Sequence, residues 1–241
     1  HHKSTLLIGG MHSFYNAGSN TNFSNHAYKM GPIHYGIMEH GAKTASGAHI
    51  LWPAHIGAFS MCMGKIANHP DTSAMPFSYI IGDGKDTYIV PGRNLTTAGT
   101  YRDINKWPKR DIRPKDCRHS ILDASWLNAY SVGKMIKAKF ELERMLDKQG
   151  RCDIYECANG CLIKKTSLHK GISLYSMAIK MFLAGFLNAD NVENDNATTA
   201  YSEDKYAIDL SGLLISQQDV LNIVEAIQNG DIDNIADLKE A

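Results

Sequence analysis

Between Ile50 and Ala67 the chain advances in steps of six residues: Ile50-Leu-Trp-Pro-Ala-His, Ile56-Gly-Ala-Phe-Ser-Met and Cys62-Met-Gly-Lys-Ile-Ala. A six-residue step suits a triangular coil, in which each hexapeptide forms one face and a small residue lets the chain turn the corner. Ile56-Gly57, with Ser60 four places after Ile56, fits best; Ile8-Gly9-Gly10 and the series Ile37, Lys43, His49 fit less closely. The expected fold is a β solenoid plus α, a partial left-handed parallel β-helix followed by a mainly helical C-terminal region. An irregular sandwich or barrel is the alternative.

The rest of the chain divides by composition. Residues 1–92 are rich in Gly, Asn and short aliphatic runs without helical period, and read as coils plus a hairpin. The hairpin is Phe77–Ile81 and Thr87–Val90 around Gly82-Asp-Gly-Lys-Asp86. Asn16–His26 reads as a turn whose Asn side chains hydrogen-bond along the stack. Residues 93–120 carry a surplus of basic side chains and the run Trp107-Pro-Lys-Arg-Asp-Ile-Arg-Pro114, whose prolines argue for an extended basic arm over a helix. Residues 121–241 turn helical. Ala124–Lys148 places Leu127, Tyr130, Met135, Ile136, Phe140 and Met145 near one face, with Gly150 as stop. A Cys152–Cys157 and Cys161–Ile163 hairpin follows, then an apolar helix over Ser173–Leu187. Asn188–Asp204 reads as a polar loop, and a last helix runs from Ser216 to Asn229. Leu6-Leu-Ile8 enters apolar structure at once and the C-terminal segment ends without a cap, as expected of a piece of a longer protein.

Charge and length exclude several functions. The 25 basic and 25 acidic residues cancel, so no overall field draws the chain to nucleic acid. Met177–Leu187 is too short to cross a bilayer and contains Lys180. Five cysteines form no disulfide framework, and the N-terminus has no export pattern; the expected location is cytoplasmic. Walker, G-x-G-x-x-G, H-E-x-x-H and G-x-S-x-G motifs are absent.

Of 11 histidines, nine precede residue 70, which invites a metal reading. Pairs such as His34/His40 and His49/His55 are six apart, however, which in a triangular coil sets them on adjacent faces. Cys152, Cys157 and Cys161, with His169 nearby, lack zinc-knuckle spacing and sit among strand-like residues. No metal ligand is assigned, and a His-ligated metal enzyme stays as an alternative. In the arm, Arg110 and Arg113 offer bidentate donors for a phosphate or carboxylate and Trp107 a stacking face. The same residues also suit a solvated strap.

Ile66-Ala-Asn-His-Pro70 resembles the histidine-proline segment of hexapeptide-type sugar O-acetyltransferases, although the usual preceding Thr is missing. That resemblance implies His69 as base on an acceptor hydroxyl, Asn68 as a polar positioner, and an acyl-CoA donor. A turn residue before Pro70 is the plainer reading of His69. Gly18-Ser-Asn-Thr-Asn22, Pro76-Phe-Ser-Tyr79 and Trp107-Pro-Lys-Arg-Asp111, with the hexapeptide rungs, resemble an uncharacterised bacterial family of large proteins. Its members carry a left-handed β-helix and a helical region. The resemblance implies fold more than function. The expected function is an acyltransferase-like protein acting on or binding a sugar or nucleotide sugar, in a homo-oligomer such as a trimer; a noncatalytic scaffold or binding module is the alternative.

Overall fold

The computed structural model describes residues 17–31, 36–110, 112, 114, 126–187, 207–210, 213–234 and 237. Six short strands open the fold: β1 (Ile37–Met38), β2 (Lys43–Thr44), β3 (His49–Ile50), β4 (His55–Ile56), β5 (Met61–Met63) and β6 (Lys65–Ile66). Each presents its second residue to the interior, so Met38, Thr44, Ile50, Ile56, Cys62 and Ile66 are buried. Their pairing is parallel and spans 18 or 16 residues: Ile37 lies beside His55, Lys43 beside Met61 and His49 beside Lys65. From β1 to β5 successive strands begin six residues apart, and β6 begins four after β5.

This six-residue step does not set the architecture. β7 (Tyr79–Asp83) pairs in parallel with β5, but β8 (Asp86–Val90) folds back on β7 as an antiparallel hairpin. β9 (Ile154–Cys157) and β10 (Cys161–Lys164) form a second hairpin, and β10 joins β8 in parallel. The result is a mixed six-stranded sheet in the order β2-β5-β7-β8-β10-β9. With the helices, this is an α/β fold and not the left-handed parallel β-helix expected above. Hairpin turns reverse the chain where a continued coil would have kept every strand parallel.

Among the described residues four helices accompany the sheets: α1 (Ala98–Arg110), α2 (Ala129–Gln149), α3 (Lys165–Leu187) and α4 (Gln217–Asn229), the last following directly on β12 (Leu213–Ser216), which pairs with β11 (Ala207–Leu210). α1 corrects the extended arm. Pro108 falls in its last turn, where a missing N–H removes a single rung near the end of the ladder. α2 begins at a capping box: the Asn128 side chain accepts from the Ser131 N–H while Ser131 Oγ accepts from the Asn128 N–H. Gly150, at φ 67°, ends it. Its buried face is Ser131, Val132, Met135, Ala138 and Leu142, whereas Ile136 and Phe140, expected in the core, are exposed.

Two apolar clusters result. One lies inside the short strands and holds Phe23, Met38, Ile50, Trp52, Ile56, Cys62, Ile66 and Ile80. Asn25 closes it, its side-chain amide pairing both ways with the Trp52 backbone at 2.8 Å, so this part of the polar tract satisfies a buried peptide. The other joins Phe59, Phe77 and Ile89 to α2, α3, β9 and β10. Gly57 sits where these layers meet: a Cβ there would lie 2.1 Å from the Thr72 carbonyl oxygen, so the small residue of the best hexapeptide answers to a close backbone approach.

Candidate functional site

His69 stands in the loop after β6, and its position is fixed from two sides. Its Nδ1 lies 3.1 Å from the Pro53 carbonyl oxygen. A carbonyl only accepts, so Nδ1 carries the proton and, in the neutral ring, Nε2 keeps its lone pair. The His69 carbonyl in turn accepts from the Asn159 side-chain amide at 2.7 Å. Asn159 occupies the β9–β10 turn with φ 63°, a left-handed conformation that Asn tolerates better than most residues. Asn68 reaches the same turn, its amide nitrogen 3.3 Å from the carbonyls of Asn159 and Gly160. Asn68 therefore braces the loop on which His69 stands.

Beside this clamp lies a groove of about 510 Å³ between the Asp71–Met75 loop, the second half of α2 and the end of β9. Met75, Ile89 and Met145 supply its apolar wall; Asp71, Glu141, Arg144, Lys148 and Glu156 line it with polar side chains. Asp71 follows His69 by two residues and Ala158 precedes Asn159 by one, so loop and turn both connect the clamp to the groove. Glu141 and Arg144 are ion-paired along α2. Gln149 holds the β9 edge by accepting from the Glu156 N–H at 3.1 Å and donating to its carbonyl at 2.8 Å. Such a surface mixes donors and acceptors of both charges with an apolar wall.

A second polar centre went unread in the sequence. Glu39, the one acidic residue among the first 70, is buried just beyond β1. Its Oε1 accepts from His55 Nε2 at 2.7 Å and from Lys134 Nζ at 2.6 Å; its Oε2 accepts from Lys134 at 2.6 Å and from the Ala58 N–H at 3.0 Å. Burial pushes this carboxyl up, but the His55 hydrogen bond and the Lys134 ammonium outweigh it and hold the group below its ordinary value. With both oxygens engaged, Glu39 ties the short strands to α2. The signal that could have found it was a lone carboxylate in a segment otherwise devoid of acids.

Arg110 is exposed in the last turn of α1; Arg113 and the Trp107 side chain lie outside the described residues. Among the described residues no three His, Cys, Asp or Glu side chains converge as a metal site needs. Cys157 and Cys161 face each other across β9 and β10, and the Cys157 thiol donates to the Cys161 carbonyl at 3.0 Å. Its hydrogen bond with Cys161 and its burial both push the Cys157 thiol up, away from the thiolate form that reacts. A smaller cavity of about 250 Å³, also unforeseen, is lined by Arg93, Thr166, Ser167 and Lys170 at the start of α3. No helix among the described residues is long and apolar enough to cross a membrane.

Comparison with curated proteins and with solved structures gives no match. A family model does match, over residues 1–146, which takes in the short strands, the first hairpin, the His69 loop and most of α2. By that match over more than half its length, the chain belongs to the family described as a domain of unknown function (DUF4954).

Proposed function

We propose that the chain is an acyltransferase-like protein of the cytoplasm that binds a sugar or nucleotide sugar in the α2–β9 groove and uses His69 as general base. The observation that carries this reading is the Nδ1 contact of His69 with the Pro53 carbonyl, because it sets the tautomer in which Nε2 accepts a proton. In the step envisaged, Nε2 takes the proton of an acceptor hydroxyl as its oxygen attacks the thioester carbonyl of an acyl-CoA. The C–S bond then breaks, and the departing thiolate recovers the proton from the imidazolium. Asn68 positions the loop. Arg110 and Arg113 are assigned to an anionic group of the ligand and Trp107 to a planar one, on residue type alone.

Thiol release from acyl-CoA, measured with a panel of sugars and nucleotide sugars that raise the melting temperature, tests the reading. The His69→Gln variant keeps a donor for Pro53 and should fold. It is expected to lose about 10²- to 10⁴-fold in transfer rate while still binding the sugar. Full activity in that variant would remove His69 from the chemistry. The second reading, a noncatalytic binding module, is favoured by the use of Asn68 and the His69 backbone to clamp the β9–β10 turn. It predicts a ligand-induced melting shift with no thiol release.

A further inference from the structure

β9 and β10 are joined by the turn Ala158-Asn159-Gly160, and the residues on either side of it are both cysteines. Cys157 and Cys161 stand directly opposite each other in the antiparallel register, and both thiols are free. Residues so placed have Cα atoms about 4.5 or about 5.5 Å apart and side chains on one face of the sheet. Both separations lie inside the window of about 4.4–6.8 Å that a disulfide spans. The shared face is the inner one: Tyr155 and Ile163, the next pair along it, are buried, whereas Glu156 between Tyr155 and Cys157 is exposed. The two cysteines are not equivalent. Cys161 is buried, while Cys157 is half-buried and lines the groove beside α2, so a small reagent reaches the pair through Cys157. The thiols share a hydrogen bond, which pushes Cys157 up but at Cys161 outweighs burial and holds that thiol below its ordinary value. Cys62 is enclosed in the other apolar cluster, and Cys152 precedes β9.

We propose that Cys157 and Cys161 are a redox modification site, at which hydrogen peroxide converts the two thiols into an intrachain disulfide that locks the turn between them. The Cys157 sulfur attacks one peroxide oxygen, the O–O bond breaks, and Cys157 becomes a sulfenic acid as one water leaves with the thiol proton. The Cys161 sulfur, as thiolate, then attacks the Cys157 sulfur. The S–S bond forms, the S–O bond breaks, and the departing hydroxide takes up the Cys161 proton as a second water. Two thiols lose two electrons and the peroxide gains them. The locked turn is the one that clamps the His69 loop: Asn159 donates to the His69 carbonyl, and Asn68 donates to the Asn159 and Gly160 carbonyls. A Cβ on Gly160 would lie 3.2 Å from Asn68 Nδ2, so turn and loop are already in close contact. The site stands whether or not His69 is a base.

The full chain, reduced and then freed of reductant, is exposed to hydrogen peroxide, its remaining thiols are alkylated, and the bonds are mapped by mass spectrometry. Trypsin releases Cys152, Cys157 and Cys161 together, between Arg151 and Lys164, and cleavage after Glu156 separates Cys152 from the other two. The fragment holding Cys157 and Cys161 is expected to lack two hydrogens and carry no alkyl group, while Cys152 is alkylated. Alkylation of both Cys157 and Cys161 overturns the proposal, as does a pair of fragments joined through Cys152. In the oxidised chain, amide exchange at Asn159 and Gly160 should slow by at least about tenfold, and dithiothreitol should restore it. Cys157→Ser, at the half-buried position, should abolish the slowing, and Cys152→Ser should keep it. Unchanged exchange in a chain shown to carry the bond overturns the lock.

Discussion

A carboxylate taken out of water must be neutralised or protonated, and Glu39 is neutralised by Lys134 while His55 and the Ala58 N–H supply further hydrogen bonds. Its depressed pKa makes it a source of pH-dependent stability with a definite sign. A carboxyl whose folded value lies below its unfolded value contributes fully above the unfolded value, here the ordinary 4.5. It loses that contribution as pH falls through the folded value. The urea midpoint is therefore expected to drop as pH falls below about 4.5, and Glu39→Gln should flatten that part of the profile. At neutral pH the same substitution leaves the largely buried Lys134 without its counter-charge, and should cost about 3 kcal/mol in urea denaturation. An unchanged midpoint would mean that Lys134 turns to solvent on losing its partner. Nothing in the local sequence announces this centre, because its three side chains come from positions 39, 55 and 134, which only tertiary folding brings together. Asn68 and His69 are adjacent and were legible as a pair. The partner that fixes them, Asn159, lies some 90 residues on and was not.

Individual elements follow local rules where those rules are strong. Gly84-Lys85 gives the β7–β8 hairpin its turn, Gly150 and Gly230 end α2 and α4 with positive φ, and the C-x3-C segment pairs Cys157 with Cys161 as a hairpin. The failures are equally physical. Pro108 would break a helix interior, yet in the final turn of α1 it costs one hydrogen bond. In α2 the apolar positions extend onto two sides, so periodicity alone could not say whether Met135 or Phe140 faced the core; the α3 and β-sheet packing decides it. The six-residue step recurs in the starts of β1 to β5 but not of β6, and it carried no information about where the chain would reverse. Two substitutions probe these rules. Asn128→Ala removes a capping box and should lower stability by about 1 kcal/mol, with amide exchange accelerated in the first turn of α2 and little change elsewhere. Gly57→Ala drives a methyl into the Thr72 carbonyl and should cost more, about 2–4 kcal/mol. A neutral Gly57→Ala would show that the β4 corner can open.

At the scale of the whole molecule the question is whether the two apolar clusters melt together. The first encloses Trp52 within the short strands, and the second spreads over α2, α3 and the hairpins. Two kinds of tie cross between them. The central strands β5 and β7 belong to the sheet that continues through β8 and β10 into the second cluster. Lys134 anchors α2 on Glu39, just beyond β1. Separating the clusters would strand the Lys134–Glu39 pair and open an unpaired sheet edge, so no stable half-folded state is available. A chain with Trp107→Phe and Trp126→Phe keeps Trp52 as its reporter of the first cluster, while far-UV circular dichroism follows the helices. The two signals are expected to trace one coincident urea transition. A fluorescence transition that precedes the loss of helix would show instead that the short strands unfold as a unit of their own, with β7 as the boundary.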